Sequence, residues 1–178
     1  MTNNNSSNQN LLILIVDDDA SIRMTAAGIL ENQGYSIIEA DSGEACLSLC
    51  QKQQPDLILL DAVMPGMDGF TCCTKLKSIF GLECPPILMM TALDDRDSIY
   101  RSFDVGITDY FVKPLNWLAL PEKIKKITAT RIQNQNLKQQ FEEIRSLNKK
   151  LNDQVYQSLQ KNPNRTYSLN LMLPRMAW

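Results

Sequence analysis

Histidine is absent from the 178 residues. That excludes His-ligated zinc, Ser-His and Cys-His triads, and any role as a histidine carrier of phosphate. Long hydrophobic runs are missing as well. The longest apolar stretch is six residues, 11–16, far short of the ~20 that cross a bilayer. The first ten residues are rich in Asn, Ser and Gln, without a basic start or an apolar core. They read as a disordered N-terminus, not a signal peptide. Excess charge is missing too, with 18 basic against 20 acidic residues. No basic patch points to direct nucleic-acid binding. The five cysteines, Cys46, Cys50, Cys72, Cys73 and Cys84, include no Cys-x-x-Cys pair. They read as buried thiols of a reducing, cytoplasmic protein.

What is present is an alternation. A continuous apolar run at 11–16 suits a buried parallel strand, and further strands are expected at 35–39, 56–60, 87–90 and 108–112. Helical segments are expected at 20–33, 43–53 and 68–79, from about Asp94 to before Gly106, and from about Asn116. In the first of these, Ile22, Ala26, Ile29 and Leu30 share a face, and Gly34 is placed to end it. Five strands alternating with five helices in ~120 residues predict a three-layer α/β domain with a parallel sheet. Right-handed crossovers then bring all strand C-termini to one edge, where such sheets bind ligands.

That edge collects chemistry. Asp17, Asp18 and Asp19 end the first strand, Asp61 the third, Thr91 the fourth and Lys113 the fifth. Asp17 and Asp18 facing Asp61 give three hard oxygen donors, which suit Mg²⁺ better than zinc. Aspartate is an established phosphoryl acceptor. The developing charge of phosphoryl transfer needs a metal and a cation, and Lys113 supplies the cation. Thr91 offers a hydroxyl to a new phosphoryl oxygen. Each part also has a plainer reading: Asp19 as a helix N-cap, Thr91 as a cap, Lys113-Pro114 as a solvated turn. Their joint placement on strand ends at one edge favours a site.

The segments Ile13-Leu14-Ile15-Val16-Asp17-Asp18-Asp19, Asp61 with Met64-Pro65-Gly66-Met67-Asp68-Gly69, Met90-Thr91-Ala92, and Asp109-Tyr110-Phe111-Val112-Lys113-Pro114 resemble the receiver domain of bacterial two-component response regulators. The resemblance covers about residues 11–130. It implies a flavodoxin-like, doubly wound (βα)5 sheet of order 2-1-3-4-5. It also implies that Asp61 is phosphorylated by a sensor histidine kinase or a histidine phosphotransfer protein. Asp18 and Asp61 would bind Mg²⁺ directly, Asp17 through water, and Val63 through its backbone carbonyl. Lys113 would contact the phosphoryl group, and Thr91 and Tyr110 would form the switch pair. Such a receiver catalyses its own phosphorylation but is a switch, not a metabolic enzyme. An aspartyl-phosphate phosphatase would carry a second Asp two residues past the nucleophile, where Val63 stands.

Residues 131–162 read as a helical extension of the domain at 11–130, followed by an irregular tail at 163–178. No Gly or Pro interrupts 125–160. A heptad register places Ile127, Asn134, Phe141, Asn148 and Val155 at one core position, and Thr130, Leu137, Ile144, Leu151 and Ser158 at the other. A coiled-coil homodimer is expected, with Leu137, Phe141, Ile144 and Leu151 as its apolar contacts. A single helix packed on its own domain is the alternative. Lys113-Pro114-Leu115-Asn116-Trp117 before a long polar helix is similar to receivers that precede diguanylate cyclase or cyclic-di-GMP phosphodiesterase domains. The chain could therefore be the N-terminal part of such a regulator, or a dimerisation module that works without phosphorylation.

Overall fold

The structure is a computed structural model, and it describes residues 11–92 and 106–161. Its elements are β1 (Leu12–Val16), α1 (Ala20–Glu31), β2 (Ser36–Ala40), α2 (Gly43–Lys52), β3 (Leu57–Asp61), α3 (Gly69–Phe80), a 3-10 turn (Gly81–Glu83), β4 (Ile87–Ala92), β5 (Asp109–Lys113) and α4 (Leu120–Lys161). The strands are all parallel and run in the order β2-β1-β3-β4-β5, as the resemblance implies.

The aliphatic runs explain the layering. A parallel strand covered on both faces has no side left for polar residues, and every residue of β3 is buried. Side chains alternate between two cores. Leu14, Val16, Ile58, Leu60 and Met89 pack with Cys46, Cys72 and Leu76 of α2 and α3. Ile13, Ile15, Leu57, Leu59 and Met90 pack with Ala26, Leu30, Leu120 and Ile124 of α1 and α4. Fully burying one such side chain contributes about 1.5–3 kcal/mol, so the cores hold the edge residues in register. All five cysteines are buried free thiols.

Three helices start at the site edge with side-chain caps. Asp19 accepts from the Ser21 amide at 2.7 Å, Ser42 from Ala45 at 3.3 Å and Asp68 from Thr71 at 2.7 Å. Each satisfies an amide that the helix cannot pair internally.

Two sequence expectations shift. The last helix begins at Leu120, not near Asn116. The Lys113–Pro114 peptide is cis, and 114–119 closes in turns, with the Trp117 amide on Leu115 and the Ala119 amide on Asn116. Pro121, whose missing N–H costs nothing in a first turn, marks the start. The second shift concerns Ile127. It is buried in the core beside Ile124, so it is not available as a coiled-coil position. The helix expected from Asp94 lies outside the described residues, as do residues 1–10, Leu93 and the tail.

The chain divides into two compact units, one ending at Arg131 and one beginning at Ile132. Within the first, Lys123 pairs with Asp109 at 2.9 Å and Arg131 donates to the Cys84 carbonyl at 3.0 Å. Within the second, Leu137, Phe141, Ile144, Leu151 and Val155 are each at least half exposed. Among the described residues no helix is long and apolar enough to cross a membrane.

Candidate phosphoacceptor and metal site

The sheet register builds the site. Val16 pairs with Leu60, which sets Asp17 level with Asp61 at the C-terminal ends of neighbouring strands. Asp17 is 1 % exposed and Asp61 4 %, whereas Asp18 is exposed at the rim. One carboxylate oxygen from each of Asp17, Asp18 and Asp61 lies within 4.8 Å of the others. Lys113 ends β5, two strands away, and its long side chain spans the gap. Its Nζ is 2.9 Å from Asp61 Oδ1 and 3.4 Å from Asp17 Oδ2.

The electrostatics follow from burial and neighbours. Burial raises the Asp61 pKa above the ordinary carboxylate value, the Lys113 ammonium opposes the rise, and the Asp17 carboxylate adds to it. The Val63 backbone amide also donates to the Asp61 carboxylate. For Lys113, burial alone would lower the pKa. The hydrogen bond to Asp61 and the charges of Asp61 and Asp17 outweigh it, so the ammonium titrates above ordinary lysine. The one attraction lowers the Asp61 pKa and raises that of Lys113; burial opposes it at both groups and, with the repulsion of Asp17, outweighs it only at Asp61.

Asp61 and Asp17 share this ammonium, Asp18 completes the cluster, and all the donor atoms are hard oxygens. Such a set fits a divalent cation that keeps part of its water, as Mg²⁺ does. Among the described residues this is the one acidic or thiol cluster with ligand spacing.

Thr91 is 7 % exposed and donates to the Ala92 carbonyl at 3.2 Å. It pairs with Val112, two residues beyond Tyr110 on β5. Residues two apart on a strand point the same way, so Thr91 and Tyr110 share one sheet face. Tyr110 packs against the core under α2 and α3. Val63 is 78 % exposed.

Two residues that the sequence motifs gave no role of their own help to build the site. A Cβ on Gly69 would collide with the Asp61 carbonyl oxygen. Only glycine lets α3 start so close to the end of β3, where the Gly69 amide donates to the Ala62 carbonyl at 3.0 Å. Arg23 of α1 donates to the Asp17 carbonyl at 2.8 Å and the Asp18 carbonyl at 3.4 Å, and its Nε lies 3.2 Å from Glu39 Oε2. Gly69 was legible only as the last residue of the Pro65–Gly69 turn. Arg23 gave no signal at all, because Glu39 is sixteen residues away in sequence and reaches it only through the fold.

Residues 13–125 match the family model of the response regulator receiver domain. The response regulator PleD of Caulobacter vibrioides is 35 % identical over 121 residues, which are 68 % of this chain and 26 % of that protein. The transcriptional regulatory protein AfsQ1 of Streptomyces coelicolor is 36 % identical over 109 residues, 61 % of this chain and 47 % of that one. The chain thus spans about a quarter to a half of the length of these relatives. Among solved structures, the chemotaxis protein CheY4 of Vibrio cholerae superposes with a TM-score of 0.62 at 31 % identity, covering 66 % of this chain and 98 % of that one. A two-component response regulator from Clostridium difficile gives 0.61 at 33 % identity, covering 66 % and 94 %. Sheet order, edge chemistry and sequence therefore agree, and the chain belongs to the receiver-domain family of two-component response regulators.

Proposed function

We propose that Asp61 is the phosphoacceptor of this receiver, and that the donor is a phosphohistidine of a sensor histidine kinase or histidine phosphotransfer protein. The observation that carries this is the pairing of a buried carboxylate with Lys113 at 2.9 Å inside the cluster of Asp17 and Asp18. A Asp61 carboxylate oxygen attacks phosphorus, the bond from phosphorus to the imidazole nitrogen breaks, and its electron pair leaves with the imidazole. Lys113 balances charge on the phosphoryl oxygens and, once the acyl phosphate has formed, exchanges its carboxylate partner for them. Asp17, Asp18, Asp61 and the Val63 carbonyl would hold Mg²⁺, which would neutralise phosphoryl charge. Thr91 follows the new phosphoryl oxygen, and Tyr110, on the same sheet face, follows Thr91. This couples the site to the surface as a shift between two states.

The extension supports self-association as the readout. From Asn134 onward an apolar stripe at heptad spacing is exposed. Asn134 and Asn148 stand at one core position, where like pairs with like only in a parallel, in-register dimer. A second copy of the chain fits this stripe.

The test is labelling with acetyl phosphate and Mg²⁺, followed by intact mass. The parent should gain one phosphoryl group and Asp61→Asn none; stoichiometric labelling of that variant would refute the assignment. Asp18→Ala should weaken Mg²⁺ binding, and an unchanged affinity would remove Asp18 from the metal's ligands.

A further inference from the structure

β1 ends at Val16 and α1 begins at Ala20, so the residues that carry the acid pair belong to neither ladder. The Asp17 amide donates to the Ala40 carbonyl at 3.3 Å, and the Asp19 amide to Asp17 Oδ1 at 2.8 Å. The carbonyls of Asp17 and Asp18 point the other way, and Arg23 meets both. Its guanidinium is mostly covered, with the side chain 18 % exposed, and Glu39 of β2 holds Nε from behind.

We propose that Arg23 is a positioning residue for the cation site: from α1 it clamps the backbone of Asp17 and Asp18 so that both carboxylates face Asp61. The proposal rests on reading the acid cluster as a cation site. Hydrogen bonds from a charged donor are roughly twice as strong as neutral ones. The planar guanidinium fork can bond a carbonyl on one side while Glu39 fixes the other, which a lysine ammonium cannot reproduce.

Arg23 has two effects of opposite sign. As a cation near the cluster it repels a metal ion, so its removal would tighten binding. As a clamp it holds the ligands together, so its removal would loosen binding. The contacts favour the clamp, because the Nη1 bonds to the acid pair end on carbonyl oxygens and the charge of the guanidinium is shared with Glu39.

The experiment uses the full chain with Mn²⁺ as probe, titrated by calorimetry, and with hydrogen exchange measured in metal-free protein. Arg23→Met should weaken Mn²⁺ binding about tenfold, the lower end of the loss seen when groups that orient metal ligands are removed. Arg23→Lys should fall between it and the parent. Without metal, Arg23→Met should speed exchange of the Asp19 amide about tenfold by loosening the turn locally, while the Leu59 amide in the core strand keeps its protection. Mn²⁺ binding that is unchanged or tighter in Arg23→Met would overturn the proposal, as would unchanged exchange at Asp19. If the parent itself binds no Mn²⁺ at Asp17, Asp18 and Asp61, the cation-site reading fails. The exchange result then decides alone whether Arg23 holds the turn.

Discussion

At the scale of single residues, Asp61, the proposed acceptor, is held at a cost. Burial first, and Asp17 second, raise the folded pKa of Asp61 above its unfolded value, against the pull of Lys113. The folded chain therefore binds this proton more tightly than the unfolded chain does. The stability tied to it is fully present below the unfolded pKa and is lost as pH rises through the folded one. At neutral pH, without metal, the ionised carboxylate is a standing cost. Asp61→Asn should accordingly raise the metal-free Tm at pH 7, and the gain should vanish in acid; an unchanged or lower Tm at pH 7 would contradict the burial argument. Gly69→Ala acts oppositely, since its Cβ meets backbone that cannot rotate away. It should cost about 1–3 kcal/mol in urea denaturation, as overpacking does, and should slow labelling of Asp61. Val63 lies two beyond the acceptor and is exposed, so Val63→Asn should leave stability unchanged. An apolar side chain there cannot orient water, whereas Asn can. The acyl phosphate should therefore decay faster in the variant after the donor is removed, and an equal lifetime would count against water positioning. The clustering of Asp17, Asp18, Asp61 and Lys113 at one edge was legible because apolar runs end abruptly in them. Gly69 and Arg23 were not legible as positioning groups, since what they do is touch backbone from a distant element.

At the scale of elements, strands and helix caps were readable to within a residue or two, because hydrophobic period and cap chemistry are both local. α4 was harder. A helix that packs on a sheet and a helix that pairs in a coiled coil differ by only a tenth of a residue per turn in apolar period. Over a few turns the two stripes coincide. That is why Ile127 fits a heptad and yet lies in the sheet's own core beside Ile124 and Leu120. The turns through Ala119 delay the start of the helix from the expected Asn116 to Leu120. Beyond Arg131 the stripe of Leu137, Phe141, Ile144 and Leu151 is exposed. Replacing Phe141 and Ile144 together by Lys should leave the α/β unit folded and abolish self-association in sedimentation. If the parent sediments as a monomer with and without phosphoryl donor, the stripe has another occupant.

At the scale of the whole molecule, the fold brings four strand ends to one edge, two bearing carboxylates, one a hydroxyl and one an ammonium. Sheet order decides which residues meet. Asp17 and Asp61 are neighbours because β1 lies beside β3, and Lys113 reaches both from β5. Thr91 and Tyr110 share one sheet face, and the proposed coupling of site to surface would run through them. Thr91→Ala should still be labelled, yet lose most of the change in self-association; a full response would place the switch elsewhere. The central claim is the identity of the acceptor, and its most direct measurement locates the acyl phosphate itself. Protein labelled with acetyl phosphate and Mg²⁺ is reduced with borohydride, which converts an aspartyl phosphate to homoserine, and is then mapped by peptide mass spectrometry. Conversion is expected at Asp61 alone. Conversion at Asp17 or Asp18, or spread over several acids, would contradict the claim.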